Sequence, residues 1–158
     1  MNDIQEVTIY NTPQRKKVKL LPYEKGQLKM YSCGPTVYNT VHIGNLRSIV
    51  NFDVVSRALR YLGYKLQRVV NFTDVGHMSN DSDFGEDKME RQAVREETNP
   101  SAIADKYISH VIESFRKLNV LNPNGTPIEK DINVQNMTKE SWAKLGWARA
   151  TDYIPEMI

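Results

Sequence analysis

Short apolar runs open the chain. Residues 7–10 (VTIY) and 28–32 (LKMYS) have the β-branched and aromatic content of strands. Between them lie Arg15-Lys16-Lys17, Pro13 and Pro22, which read as a polar connection ending at Gly26. Residues 33–41 form a loop with Gly34-Pro35 as its turn signal. From Gly44 to Leu62 the period becomes helical. At about 100° per residue, Asp53, Ser56, Arg57 and Arg60 share one polar stripe. Leu46, Val50, Val54, Val55, Ala58, Leu59 and Leu62 cover most of the rest, the signature of a helix laid on a sheet. Gly63 suits the position after its C-cap. Residues 64–72 (YKLQRVVNF) then read as a strand. Strand, loop, helix and strand in this order make a βαβ unit, which predicts a parallel sheet with a right-handed crossover.

Residues 73–98 are polar and acidic and read as a solvated loop where Asp81 to Glu90 run together. The run Asp81-Ser82-Asp83-Phe84-Gly85 places its glycine one position too early for an EF-hand. Asn99 as N-cap and Pro100 at N1 announce the next helix, to Leu118. Ile103, Tyr107, Ile108, Val111, Ile112, Phe115 and Leu118 take one half of its wheel. Asp105, Lys106, Glu113, Arg116 and Lys117 take the other, with His110 at the edge of the polar half as a surface residue. Beyond Leu121 the pattern loosens around Pro123, Gly125 and Pro127, and a short helix is expected over 138–145. The fold class implied is α/β, with a parallel sheet.

Composition changes this picture little. The 158 residues are 40% hydrophobic and 25% charged, ordinary for about one globular domain. With 21 basic and 19 acidic residues, the net charge of +2 gives no electrostatic case for nucleic-acid binding. A lone cysteine excludes an internal disulfide. The N-terminus has no signal-peptide pattern, and no apolar run approaches the ~20 residues that cross a bilayer. A cytoplasmic location is expected.

The chemistry concentrates in residues 31–45, YSCGPTVYNTVHIGN. In an open α/β sheet, ligands sit beyond the carboxyl ends of strands, at helix N-termini, and this loop holds that position. Backbone N–H groups from Gly44 to Leu46 would lack intrahelical partners, and the helix dipole favours an anion there. Gly44 would let a phosphate approach closely, and His42 could donate to a phosphate oxygen. Neither GxxxxGK[ST] nor GxGxxG is present, so this is a phosphate site of another type.

These residues carry a resemblance. His42-Ile43-Gly44-Asn45 resembles the "HIGH" signature of class I aminoacyl-tRNA synthetases, in the form used by cysteinyl-tRNA synthetases, with Asn45 replacing its last histidine. Cys33-Gly34-Pro35-Thr36-Val37-Tyr38 is similar to the segment just upstream and is more diagnostic. Ile9-Tyr10-Asn11-Thr12, Leu59-Arg60-Tyr61-Leu62-Gly63-Tyr64, Asn71-Phe72-Thr73-Asp74-Val75 and Ala150-Thr151-Asp152-Tyr153-Ile154 extend it.

The resemblance implies a partial Rossmann-like fold and an ATP- and Mg²⁺-dependent activation of L-cysteine, followed by transfer to tRNA(Cys). It places a zinc ion at Cys33 for the substrate thiolate, ATP at Pro35, Thr36, His42, Gly44 and Asn45, catalysis at His42 and Asn45, and cysteine at Thr73. It also implies that residues 1–158 correspond to the first half of the catalytic domain. The remaining zinc ligands, the KMSKS loop and the anticodon-binding region would lie outside them, and a fragment of this kind would be inactive alone. Residues 125–147 look inserted. Two other readings use the same residues: a ligase joining cysteine to an amino-sugar, and a stand-alone nucleotide-binding module without catalysis. His77, in VGHMSND, reads as a loop residue.

Overall fold

The computed structural model describes residues 4–75 and 88–157. His77 and the acidic stretch 81–87 lie outside the described residues. Two strands, β1 (Thr8–Asn11) and β2 (Lys16–Lys19), pair antiparallel with Thr8 opposite Lys19 and Asn11 opposite Lys16. The basic run read as a connection is therefore half a hairpin, closed by a turn in which Arg15 has a φ of 50°. An exposed two-stranded ribbon needs no apolar face, and in β2 only Val18 is half-buried, so alternation gives no signal.

The βαβ unit forms as expected: β3 (Gln27–Ser32), α1 (Ile43–Tyr61) and β4 (Lys65–Phe72). β3 and β4 are parallel, from Gln27 opposite Lys65 to Ser32 opposite Val70. A third parallel strand, β5 (Trp147–Arg149), joins the other edge of β4, giving the order β3-β4-β5. At three residues, β5 is too short for a periodic signal.

α1 packs beside the sheet, but not on the face its pattern indicates. Asp53 and Ser56, from the polar stripe, are buried beside Ile49 and Leu59, whereas Val54 and Val55 are exposed. The inward polar groups all have partners. Asp53 accepts from Arg57 Nε at 2.7 Å and from the Leu121 backbone N–H at 3.2 Å. Ser56 donates to the Phe52 carbonyl at 2.7 Å, and Arg60 donates to the Pro123 carbonyl at 2.6 Å. A polar stripe supplied with internal partners is buried at little cost.

Part of the acidic region is helical: α2 spans Lys88–Arg95 and buries Met89 and Ala93, one turn apart. α3 (Pro100–Lys117) starts at Asn99, whose side chain accepts from the Ala102 N–H, and His110 on it is exposed as expected. α4 (Lys139–Leu145) is capped by Thr138. A 3₁₀ turn over Ala150–Tyr153 and α5 (Ile154–Met157) follow β5.

The main core lies between the sheet and α3, with Val37, Val70, Phe72, Ile108, Val111 and Phe115 fully buried. Residues 125–147 add Ile128, Val134, Trp142 and Trp147 to it. Phe72 stacks on Trp147 at 4.9 Å and meets Trp142 edge-on at 5.5 Å. Such pairs add roughly 0.5–1.5 kcal/mol beyond their buried area. The Trp147 indole N–H donates to buried Asn122 Oδ1 at 2.8 Å. Among the described residues no helix is long and apolar enough to cross a membrane.

Candidate functional site

The loop after β3 runs alongside the end of β4 and prolongs their parallel pairing. Thr73 N–H donates to the Pro35 carbonyl at 3.1 Å, and Val37 N–H donates to the Thr73 carbonyl at 3.1 Å. Thr36 thus lies opposite Thr73. These bonds bring Cys33, Pro35, Thr36 and Thr73 to the carboxyl end of the sheet. Gly34 is what permits the approach, since a Cβ there would fall 1.7 Å from the Asn71 carbonyl oxygen. The Cys33 thiol is exposed. Such burial as Tyr31 has raises the pKa of its phenol, and the neighbouring Cys33 raises it further.

His42, Gly44 and Asn45 meet at the start of α1 in a reciprocal cap. Gly44 N–H donates to His42 Nδ1 at 3.0 Å, and His42 N–H donates to Asn45 Oδ1 at 3.2 Å. The N–H groups expected to stand unpaired are in part satisfied: the His42 ring accepts the hydrogen bond of the Gly44 N–H, and the His42 carbonyl accepts from Leu46 N–H at 3.1 Å. Gly44 accommodates the histidine itself, because a Cβ would meet His42 Cε1 at 2.8 Å. With Nδ1 accepting, the neutral ring carries its proton on Nε2, directed away from the cap. His42 is exposed, so that proton is available to a ligand.

Apart from Thr73, which lies just past β4, the two groups are separate clusters on one loop, joined by residues 38–41, of which Tyr38 and Val41 pack against the core. Residues missed by the pattern hold the far side. Asp74, with a fully buried side chain, accepts from Arg149 Nε at 2.9 Å, Thr151 N–H at 3.0 Å and Thr151 Oγ1 at 2.6 Å. Arg149 also donates to Asp105 at 2.7 Å. Burial alone would lower the Arg149 pKa, but bonds to Asp74 and the two carboxylate charges outweigh it and raise it. Nothing in sequence spacing pairs position 74 with 149.

Among the described residues, no group of three or more His, Cys, Asp or Glu side chains is placed to hold a metal ion. A zinc ion needs about four ligands, so the described residues do not build that site by themselves.

Comparison with known proteins bears on the motif directly. The family described as tRNA synthetases class I (C) catalytic domain matches residues 19–153. The chain belongs to that family. It is 46% identical over 121 residues to a cysteine–tRNA ligase of Deinococcus radiodurans, covering 77% of this chain and 24% of that protein. It is 43% identical over 122 residues to the cysteine–tRNA ligase of Bacteroides thetaiotaomicron, covering 77% and 25%. With that of Thermus thermophilus it shares 38% identity over 152 residues, 96% of this chain and 27% of the relative. The chain therefore spans about a quarter of the length of these curated relatives. The family assignment agrees with the parallel sheet and with the position of the HIGN cap at its carboxyl end. It does not favour the amino-sugar ligase or the non-catalytic module.

Proposed function

We propose that this chain forms the first part of the active site of a cysteine–tRNA ligase. The observation that carries the reading is the family match across residues 19–153, which includes both site clusters, with relatives named cysteine–tRNA ligase. In this reading the carboxylate of L-cysteine attacks the α-phosphorus of ATP, pyrophosphate leaves with Mg²⁺, and the aminoacyl group of the adenylate passes to the 3′ end of tRNA(Cys). His42 donates Nε2–H to a phosphate oxygen, where charge builds as pyrophosphate departs. Asn45 holds the His42 backbone, so the imidazole is oriented before ATP arrives. Gly44 lets the ring fold onto the helix start, and in this reading ATP lies against half-buried Thr36, with buried Pro35 behind it. Thr73 contacts the amino acid. Cys33 would supply one zinc ligand, with the others from outside the described residues, and the metal would recognise the substrate thiolate by soft-ligand preference. A cytoplasmic location follows from the same reading.

Cysteine-dependent exchange of pyrophosphate into ATP by the complete gene product tests the assignment. Exchange with cysteine and not with serine is expected, and its absence overturns the reading. Cys33→Ala should raise the KM for cysteine far more than that for ATP. Equal increases for both would remove the zinc role of Cys33.

A further inference from the structure

Asn71, two residues before the end of the β4–loop pairing, makes three side-chain bonds and none of the readings above gives it a role. Its Oδ1 accepts from Gly34 N–H at 2.9 Å and from the Tyr31 hydroxyl at 2.9 Å. Its Nδ2 donates to Thr73 Oγ1 at 2.8 Å. The orientation of the amide follows from chemistry. A backbone N–H can only donate, so the oxygen must face Gly34, and the NH₂ group is left facing Thr73.

This has a consequence for the threonine. Its backbone N–H and carbonyl are both engaged by the opposite loop, so only the side chain retains freedom. One lone pair of Oγ1 is occupied by Asn71, which fixes the oxygen and turns the hydroxyl proton outward. Among the described residues, no group accepts that proton. Thr73 is half-buried, so it is open on one side. We propose that Asn71 is a positioning residue that presents Thr73 as a hydrogen-bond donor to an acceptor group of the bound amino acid. The same amide holds Gly34, and with it the backbone that carries Cys33. One side chain thus sets two of the groups that would meet the substrate. The inference rests on the function proposed above.

Asn71→Asp tests it with almost no change in shape. A carboxylate still accepts from Gly34 and Tyr31, but it cannot donate, so it draws the Thr73 proton toward itself. In the complete gene product, pyrophosphate exchange is measured for wild type, Asn71→Asp, Thr73→Val and the double variant, varying cysteine and ATP separately. Expected is a rise of about tenfold in the KM for cysteine for each single variant, the loss of one hydrogen bond. The KM for ATP should be unchanged, and the double variant should be no worse than either single one. Effects that multiply, or that fall equally on ATP and cysteine, overturn the positioning role while leaving the ligase assignment intact. If Asn71→Asp does not fold, Thr73→Val decides alone: an unchanged KM for cysteine overturns the proposal. No exchange by the wild type overturns the functional reading and this inference with it.

Discussion

A methyl group at position 34 and one at position 44 would meet different neighbours, and the difference sets their expected costs. At 34 the obstacle is the Asn71 carbonyl oxygen, part of a paired strand that cannot retreat. Gly34→Ala should lower stability by about 1–3 kcal/mol, read as a shift in the urea midpoint. At 44 the obstacle is the His42 ring, which can swing out. Gly44→Ala should therefore cost no more than a lost cap, about 1 kcal/mol, while leaving His42 misdirected. Glu96 offers a test by pH. Hydrogen bonds from Lys106 first, then Gln92 and Tyr107, hold its pKa down at about 2, below the usual 4.5. Because the folded value is the lower one, this contribution is complete above pH 4.5 and is lost as pH falls toward 2. Thermal unfolding of wild type and Glu96→Gln should differ at neutral pH and converge near the acid end. At this scale the sequence singled out residues of this loop for a phosphate site, and the structure adds that the immediate neighbour of Gly44 is the His42 ring. Spacing records which residues are close along the chain, not which of them a turn folds together.

At the scale of elements, α1 is the informative case. Its existence and ends were legible to within a residue, because capping and period are local properties. Its facing was not, because what makes Asp53 and Ser56 tolerable inside is a backbone N–H at Leu121 and a carbonyl in their own helix. Long-range partners leave no trace in a helical wheel. The expected result is plain: Val55→Lys, at a 46% exposed position, should change stability by no more than about 0.5 kcal/mol. Ile49→Ala, at a 3% exposed position on the same helix, should cost about 2–5 kcal/mol. Denaturant titration of the two variants separates the facing observed from the one the wheel suggests. β2, β5 and α2 were missed for related reasons: each is short, and each is specified by what it pairs or packs with. α2 did leave one local sign, Met89 and Ala93 one turn apart in a largely charged run.

On the scale of the whole molecule, the carboxyl end of the sheet is held shut by side chains far apart in the chain. Asp74 at the end of β4, Arg149 on β5 and Asp105 on α3 form one charged network. Arg149→Ala would leave the Asp74 carboxylate buried without its cation, a loss of about 3–5 kcal/mol that chemical denaturation should detect. The βαβ core of the site, Cys33 through Thr73, was readable because a strand, a turn signal and a capped helix follow one another directly. Its closure by β5 was not, since three residues at 147–149 say nothing of the strand they join. That distance along the chain also orders events during synthesis. β3 and β4 can pair as soon as β4 itself is made, but the second edge of β4 waits for Trp147. At roughly 5–20 residues per second, a ribosome leaves that edge bare for on the order of 4–15 s. An apolar strand end such as Val70 and Phe72 is then open to any passing strand, so this protein's most exposed moment comes before it is finished.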